Sequence, residues 1–372
     1  MKAMQRFRDV SADPKRYARD WKATRGGRVV GTLCSYAPEE LILAAGALAF
    51  RIVGGRGEVS RADAHLQSYS CSLVRGALDD ALNERLDFID GMIFPHTCDS
   101  IQRLSDIWRM NARTGFHLDV VMPVKLDTKS ARAYMTAVLK KARSELEGLL
   151  GQTIADSDLQ GAIDVYNRIR STMQRVYRIR SDFPNAIAGG DLHAMVRASM
   201  VMDRHDFLDL LTRLIKDLEQ IPRPESTAGK RIFLSGGICN LPDVYGVIEA
   251  AGGRVVGDDL CTGSRGLTGL IGSGDDPLQA IADRYARRAV CPAKHMGITS
   301  RGDDLVRLVK ASRAHGVIFL FLKFCDPHAF DYPYLKSMLD AEGVPSLLVE
   351  LEGQTASQGQ FGTRCEAFME ML

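Results

Sequence analysis

Twice in this 372-residue chain a short apolar run ends in Cys-Asp where a helical pattern begins. The first instance is Gly91-Met-Ile-Phe-Pro-His-Thr-Cys98-Asp99, and the second is Gly316-Val-Ile-Phe-Leu-Phe-Leu-Lys-Phe-Cys325-Asp326. A buried strand feeding directly into a helix is the unit of a parallel sheet with helical crossovers. In such sheets ligands bind in the crevice beyond the carboxyl ends of the strands. A helix N-terminus also favours a thiolate through its unpaired N–H groups and dipole. The repeat predicts two cysteines, one in each of two α/β units, facing a shared cleft.

The rest of the chain divides around these units. Residues 1–125 alternate strands and helices: Arg28 to Leu33, Phe88 to Phe94 and His117 to Met122 read as strands. Pro38-Glu39-Glu40-Leu41 opens a helix, and Asp99 to Met110 repeats apolar residues at helical spacing. Residues 126–226 are almost wholly helical, with periods near 3.6 over Ser130 to Leu150, Ser157 to Arg180 and Arg204 to Ile221. Ile221-Pro-Arg-Pro-Glu-Ser-Thr reads as a linker closing this part. Residues 227–372 return to alternation, with strands at Arg231 to Leu234, Arg254 to Val256, Gly316 to Phe321 and Pro345 to Val349. Three domains are expected: α/β, helical, α/β.

Composition removes several classes. A hydrophobic share of 45% and a charged share of 25% are ordinary globular values. With 48 basic against 46 acidic side chains there is no global basic field, so nucleic acid is not an expected partner. No apolar run approaches the roughly 18 residues that span a membrane. The polar, basic N-terminus lacks the apolar stretch of a secretory signal, and a cytoplasmic location is expected.

Eight cysteines stand singly, at 34, 71, 98, 239, 261, 291, 325 and 365, with no CxxC pair. A metal site built on local spacing is therefore excluded, and any site must be assembled from distant segments. Cys98 and Cys325 stand out by their repeated position. Cys71 begins another helical run and is the natural third thiol, with Cys34, which follows a strand, as its competitor. Cys239, Cys291 and Cys365 are read as small buried hydrophobes. His96 and His328 flank the two principal cysteines and are candidate proton donors. The arginines at 168, 170, 175, 178 and 180 are read as a solvated or subunit-facing helix surface. There is no P-loop and no GxGxxG after a strand, and Ser235-Gly236-Gly237 reads as a tight turn rather than an anion nest. Any ATP chemistry must come from another chain.

Taken together, several stretches resemble the family of benzoyl-CoA reductase and 2-hydroxyacyl-CoA dehydratase subunits. They are Leu33-Cys-Ser-Tyr-Ala-Pro-Glu-Glu-Leu-Ile-Leu-Ala-Ala-Gly46, Phe94-Pro-His-Thr-Cys-Asp-Ser100 with Trp108, and Leu234-Ser-Gly-Gly-Ile238. Gly257-Asp-Asp-Leu-Cys-Thr-Gly-Ser-Arg265, Asp276-Pro277, Cys291-Pro292, Leu322-Lys-Phe-Cys-Asp-Pro327 and Gln360-Phe-Gly-Thr-Arg364 complete the set. The resemblance runs from about residue 30 to the C-terminus. It implies two doubly wound parallel-sheet domains of Rossmann or flavodoxin type plus a helical domain, with an iron–sulfur cluster in the interdomain cleft. Carried over, the ligands of a 4Fe-4S cluster are Cys71, Cys98 and Cys325, the fourth position being left open. Glu40 lies near the cluster in that pattern, with Glu39 as its neighbour, and Glu40 and His96 are the catalytic candidates.

The resemblance also implies single-electron chemistry on a CoA thioester, in which a ketyl radical anion loses hydroxide or is reduced further. It implies as partners a larger homologous cluster-binding subunit, an ATP-hydrolysing iron–sulfur activator and a ferredoxin-type electron donor. The first expectation is the smaller cluster-binding subunit of an ATP-dependent benzoyl-CoA reductase. The alternatives are a subunit of a 2-hydroxyacyl-CoA dehydratase, a double-cubane reductase of small molecules, and a cofactor-free scaffold whose cysteines merely pack.

Overall fold

The computed structural model describes residues 2–54, 58–220, 229–239, 243–288, 291–297, 299–351 and 358–372. The expected linker at Ile221 to Thr227 lies outside the described residues. Eight strands form two sheets: β1 (Val29–Thr32), β2 (Leu48–Arg51), β3 (Gly91–Pro95), β4 (Phe116–Val120), then β5 (Lys230–Gly236), β6 (Gly253–Asp259), β7 (Gly316–Leu322) and β8 (Ser346–Leu351). The first sheet runs β2-β1-β3-β4 and the second β6-β5-β7-β8, and every pairing is parallel. The two halves thus repeat one strand order. In it the chain passes from the outer second strand back across the first to the third, so the order reverses between β1 and β3, and again between β5 and β7. Ligand crevices of parallel sheets form at such a reversal.

Continuous apolar runs make the central strands. All residues of β3 and β7 are buried, as expected for strands covered on both faces. The four-residue β2 has no clear sequence signal, because Leu48-Ala-Phe-Arg51 is short and ends in a charged residue that is nonetheless buried.

The helical part contains Lys129–Leu150, Asp156–Asp182 and Arg204–Gln220, close to the expected spans, together with Gly189–Ser199, which begins Gly-Gly and gives little periodic signal. The first of these starts where Thr128 accepts a hydrogen bond from the Ala131 N–H (3.1 Å) and stops where Gly151 adopts φ 70°. Two N-terminal helices, Lys2–Ala12 and Pro14–Arg25, precede β1. The first reaches the helical part: Phe7 meets Phe207 with ring centroids 5.1 Å apart, and Arg8 pairs with Asp191 at 2.6 Å.

The arginine row of the helix Asp156–Asp182 differs from expectation. Arg175 is at the surface, paired with Glu219, but Arg170 and Arg180 are buried. Arg180 donates to the carbonyls of Val255 and Pro184 and pairs with Glu249 at 2.5 Å, so it ties the helix to β6. Buried guanidinium groups persist only where acceptors are arranged around them.

Candidate functional site

The strand ends of the two sheets converge. Tyr36, just after β1, donates to the Arg288 carbonyl (2.7 Å), and Tyr285 donates to the Ala37 carbonyl (2.8 Å). The segment leaving β4 pairs with the 291–295 loop, where the His295 N–H bonds the Val124 carbonyl (3.0 Å) and the Leu126 N–H bonds the His295 carbonyl (2.9 Å). Both reversal points therefore open onto one region. Cys34 follows β1 and Cys98 follows β3, while Cys261 follows β6 and Cys325 follows β7.

Cys71, Cys98 and Cys325 share a backbone position: each is the N-cap residue of a helix, Ser72–Leu82, Asp99–Asn111 and Asp326–Ala341 respectively. Ser, Thr, Asp and Asn are the usual N-cap residues, and thiols are poor substitutes. None of the three sulfurs closes a capping hydrogen bond, yet each faces the backbone N–H three residues on, of Val74, Ile101 and His328. Burial raises all three thiols, with Cys98 pushed well above its ordinary value and Cys325 to about 12, while those N–H groups oppose the rise. The thiols also act on one another: Cys98 is raised further by Cys71, Cys291 and Cys325, and Cys325 by Cys71, Cys261 and Cys291. Each cysteine of the sequence-predicted trio thus stands at a helix N-terminus.

Three cysteines beyond that trio, Cys34, Cys261 and Cys291, belong to the same set of interacting thiols. Cys291, read from sequence as a packing residue, is raised to about 12 by burial and by Cys261, with Cys34 adding to the effect. Arg265 donates to the Cys261 sulfur at 2.9 Å, and the Thr97 hydroxyl donates to the Cys34 sulfur at 3.2 Å. The Gly-Asp-Asp-Leu-Cys-Thr-Gly-Ser-Arg run is the signal for Cys261, since Asp259 orients Arg265 (3.1 Å) onto that sulfur. Cys239 and Cys365 are fully buried. Among the described residues no three His, Cys, Asp or Glu side chains are close enough to ligate a single metal ion.

The other candidates fall around this group. His328 places Nδ1 3.2 Å from the Cys325 sulfur, and burial, with Arg265 and Arg301 nearby, keeps its ring neutral. His96 lies on the loop between β3 and Cys98, bonded through Nε2 to Asp119 (2.8 Å) and through its backbone N–H to the Val120 carbonyl (3.0 Å). That loop is thereby pinned to β4. Burial would raise the Asp119 carboxyl, but bonds from His117, Ser105 and His96 hold it well below the usual carboxylate range. A depressed carboxylate adds stability above its unfolded pKa and loses it as pH falls toward the folded one. Asp119→Asn should therefore cost about 1 kcal/mol at neutral pH, with the gap to wild type closing below about pH 4. Urea midpoints across pH check this, and a gap that persists undiminished in acid would contradict it.

Glu40 has its charged partner in the helical part. It lies on the short helix Glu39–Ala44, buried and paired with Arg170, in a cavity of about 60 Å³ also lined by Arg51, Arg204 and Arg284. Burial alone would raise its carboxyl, but Arg170 and Arg284 more than offset this and lower it. Glu39 pairs with Arg204 at 3.0 Å. Gly236, in the Ser-Gly-Gly turn, has φ 148°, and a Cβ there would collide with the Leu320 carbonyl, while the Gly237 N–H is taken by that same carbonyl (3.0 Å). The turn needs glycine for a close strand approach.

The chain is similar to several known proteins over most of its length. The chain is 28% identical over 366 residues to the (R)-phenyllactyl-CoA dehydratase beta subunit of Clostridium sporogenes, covering 98% of this chain and 97% of that protein. It is 26% identical over 371 residues to the beta subunit of the lactoyl-CoA dehydratase of Anaerotignum propionicum, covering 99% and 98%. It is 30% identical over 335 residues to a subunit of the benzoyl-CoA reductase of Thauera aromatica, covering 88% and 86%. Residues 34–372 match the 2-hydroxyglutaryl-CoA dehydratase, D-component family, and the chain belongs to it.

Proposed function

We propose that this chain is the cluster-holding subunit of an enzyme that acts on a CoA thioester by single-electron transfer. One observation carries the reading: Cys71, Cys98 and Cys325, from distant segments, each stand at a helix N-cap without capping it, the latter two beyond equivalent strands of two parallel sheets. The donor set fits a 4Fe-4S cluster. Its soft sulfurs are donors of the kind such a cluster takes, one thiolate per iron. Such a cluster, when bound, supplies single electrons at low potential. The chain's own residues do the rest. Helix N–H groups ease ionisation of the three thiols. Asp119 and His96 hold the loop of Cys98 in place. His328, neutral and against Cys325, orients that sulfur without adding charge.

The partners in this reading are a larger homologous subunit, an ATP-hydrolysing iron–sulfur activator and a ferredoxin-type donor. The relatives named above are themselves subunits, which supports a partner chain. Two reactions fit the shared chemistry. Ring reduction of benzoyl-CoA follows the relative at 30% identity, and loss of water from an (R)-2-hydroxyacyl-CoA follows the dehydratase relatives that match end to end. The complex, purified anaerobically with its activator and ATP and given both substrate types, should transform one of them. Inertness toward every CoA thioester offered, with iron bound, would overturn the proposed function.

A further inference from the structure

Arg51, the last residue of β2, is a buried cation that the cysteine chemistry does not use. It is 3% exposed, and its Nε has no hydrogen-bond partner. Among the described residues no carboxylate pairs with its guanidinium. The side chain lines the cavity of about 60 Å³ that holds Glu40, together with Glu39, Arg170, Arg204 and Arg284. Four guanidinium groups thus stand around two carboxylates, and both carboxylates are taken. Glu40 pairs with Arg170, and Glu39 with Arg204 at 3.0 Å, Glu39 also accepting from the Tyr166 hydroxyl at 3.0 Å. Arg284 donates to the carbonyls of Gly266, Thr268 and Gly269, each at 2.9 Å, and these are neutral acceptors. Two positive charges are left without an anion. A guanidinium stays protonated when buried, and a buried charge without its counter-charge is costly, so it persists where something negative answers it.

We propose that this cavity is a binding site for one small oxyanion, a carboxylate or inorganic phosphate, held by Arg51 with Arg284 supplying the second charge. The planar guanidinium fork matches two oxygens of such a group. Size sets the other limit. The space exceeds the roughly 10–15 Å³ that one water needs, and it falls far short of the several hundred Å³ that a nucleotide-sized ligand fills. Its walls come from the helix after β1 (Glu39, Glu40), the helical part (Arg170, Arg204) and the segment after β6 (Gly266), so a bound anion ties these three together. No cysteine lines the cavity, and the proposal stands whatever the cysteines hold.

The test uses the full chain, purified anaerobically into a chloride buffer, with inorganic phosphate or acetate added at constant ionic strength. The wild-type thermal midpoint should rise with the logarithm of the concentration of one of them, as mass action requires of a ligand that binds only the folded state. Which of the two acts identifies the anion. Arg51→Met should lose that rise, while matching or exceeding wild type in chloride alone, because an unanswered buried cation has gone. Arg51→Lys keeps the charge without the fork and should bind about tenfold more weakly by calorimetry. Lys15→Met is the control: Lys15 lines a neighbouring cavity of about 180 Å³ that Arg51 also touches, and its loss should leave the response unchanged. An equal rise in wild type and Arg51→Met overturns the proposal, and so does a rise abolished by Lys15→Met, which places the anion in the larger cavity. A wild type that shows no rise decides by ion chromatography after denaturation: an oxyanion released from wild type and not from Arg51→Met supports the site, and none released from wild type overturns it. If Arg51→Met does not fold, Arg51→Lys decides, in the midpoint rise and in the oxyanion released alike, and wild-type behaviour there overturns the proposal.

Discussion

Cys98→Ala and Cys325→Ala each lose bound iron and activity together. A methyl group offers no lone pair, and each of these cysteines stands in the turn between the third strand of its sheet and the helix that follows. Even residues that only orient a metal ligand typically cost 10–100-fold in affinity when changed, and a ligand itself costs more. Cys239→Ala and Cys365→Ala provide the contrast. Both are fully buried, so they should lose about 1 kcal/mol of stability while keeping iron. Cys34→Ala separates the ligand from its competitor: iron is retained if Cys71 completes the trio. Colorimetric iron per chain on anaerobic protein reads all five variants, and wild-type iron in Cys98→Ala or Cys325→Ala would reject the assignment.

Arg170→Met destabilises the fold by about 3–5 kcal/mol, the cost of leaving a buried charge without its partner. Glu40 is 1% exposed at its side chain and Arg170 6%. Water cannot replace the lost guanidinium there, and Arg284 spends its own N–H groups on the carbonyls of Gly266, Thr268 and Gly269. The pair joins the helix Glu39–Ala44 to the helix Asp156–Asp182, so its loss loosens the segment that follows Cys34. The double change Arg170→Met with Glu40→Met should recover most of the loss, because replacing a buried pair by apolar groups is often close to neutral. Chemical denaturation of the single and double variants tests this, and equal destabilisation by both would show that charge is not what the site responds to.

The strand-then-Cys-Asp repeat is legible because two periods meet at a single residue: an apolar run of strand length, then helical spacing. That junction is the N-cap, so Cys98 and Cys325 can be placed without any contact information, and Cys71 follows from the helical run it begins. Cys261 and Cys291 lie in irregular segments after β6 and after the helix Pro277–Ala286, where no period says which way a side chain points. Their place among the thiols depends on how the two sheets meet. Arg170 and Arg180 defeat a reading of pattern alone, because a charged helix face looks alike whether it meets water or a buried carboxylate. The salt bridge of Glu40 to Arg170 is hidden in the same way, since it depends on a helix some 130 residues away in the chain.

The number of iron and acid-labile sulfide atoms per chain in the anaerobically purified wild-type protein tests the central claim most directly. Three thiolates closing on one cubane predict about four of each. A chain with none, or one with about eight of each engaging the remaining cysteines as well, would contradict it.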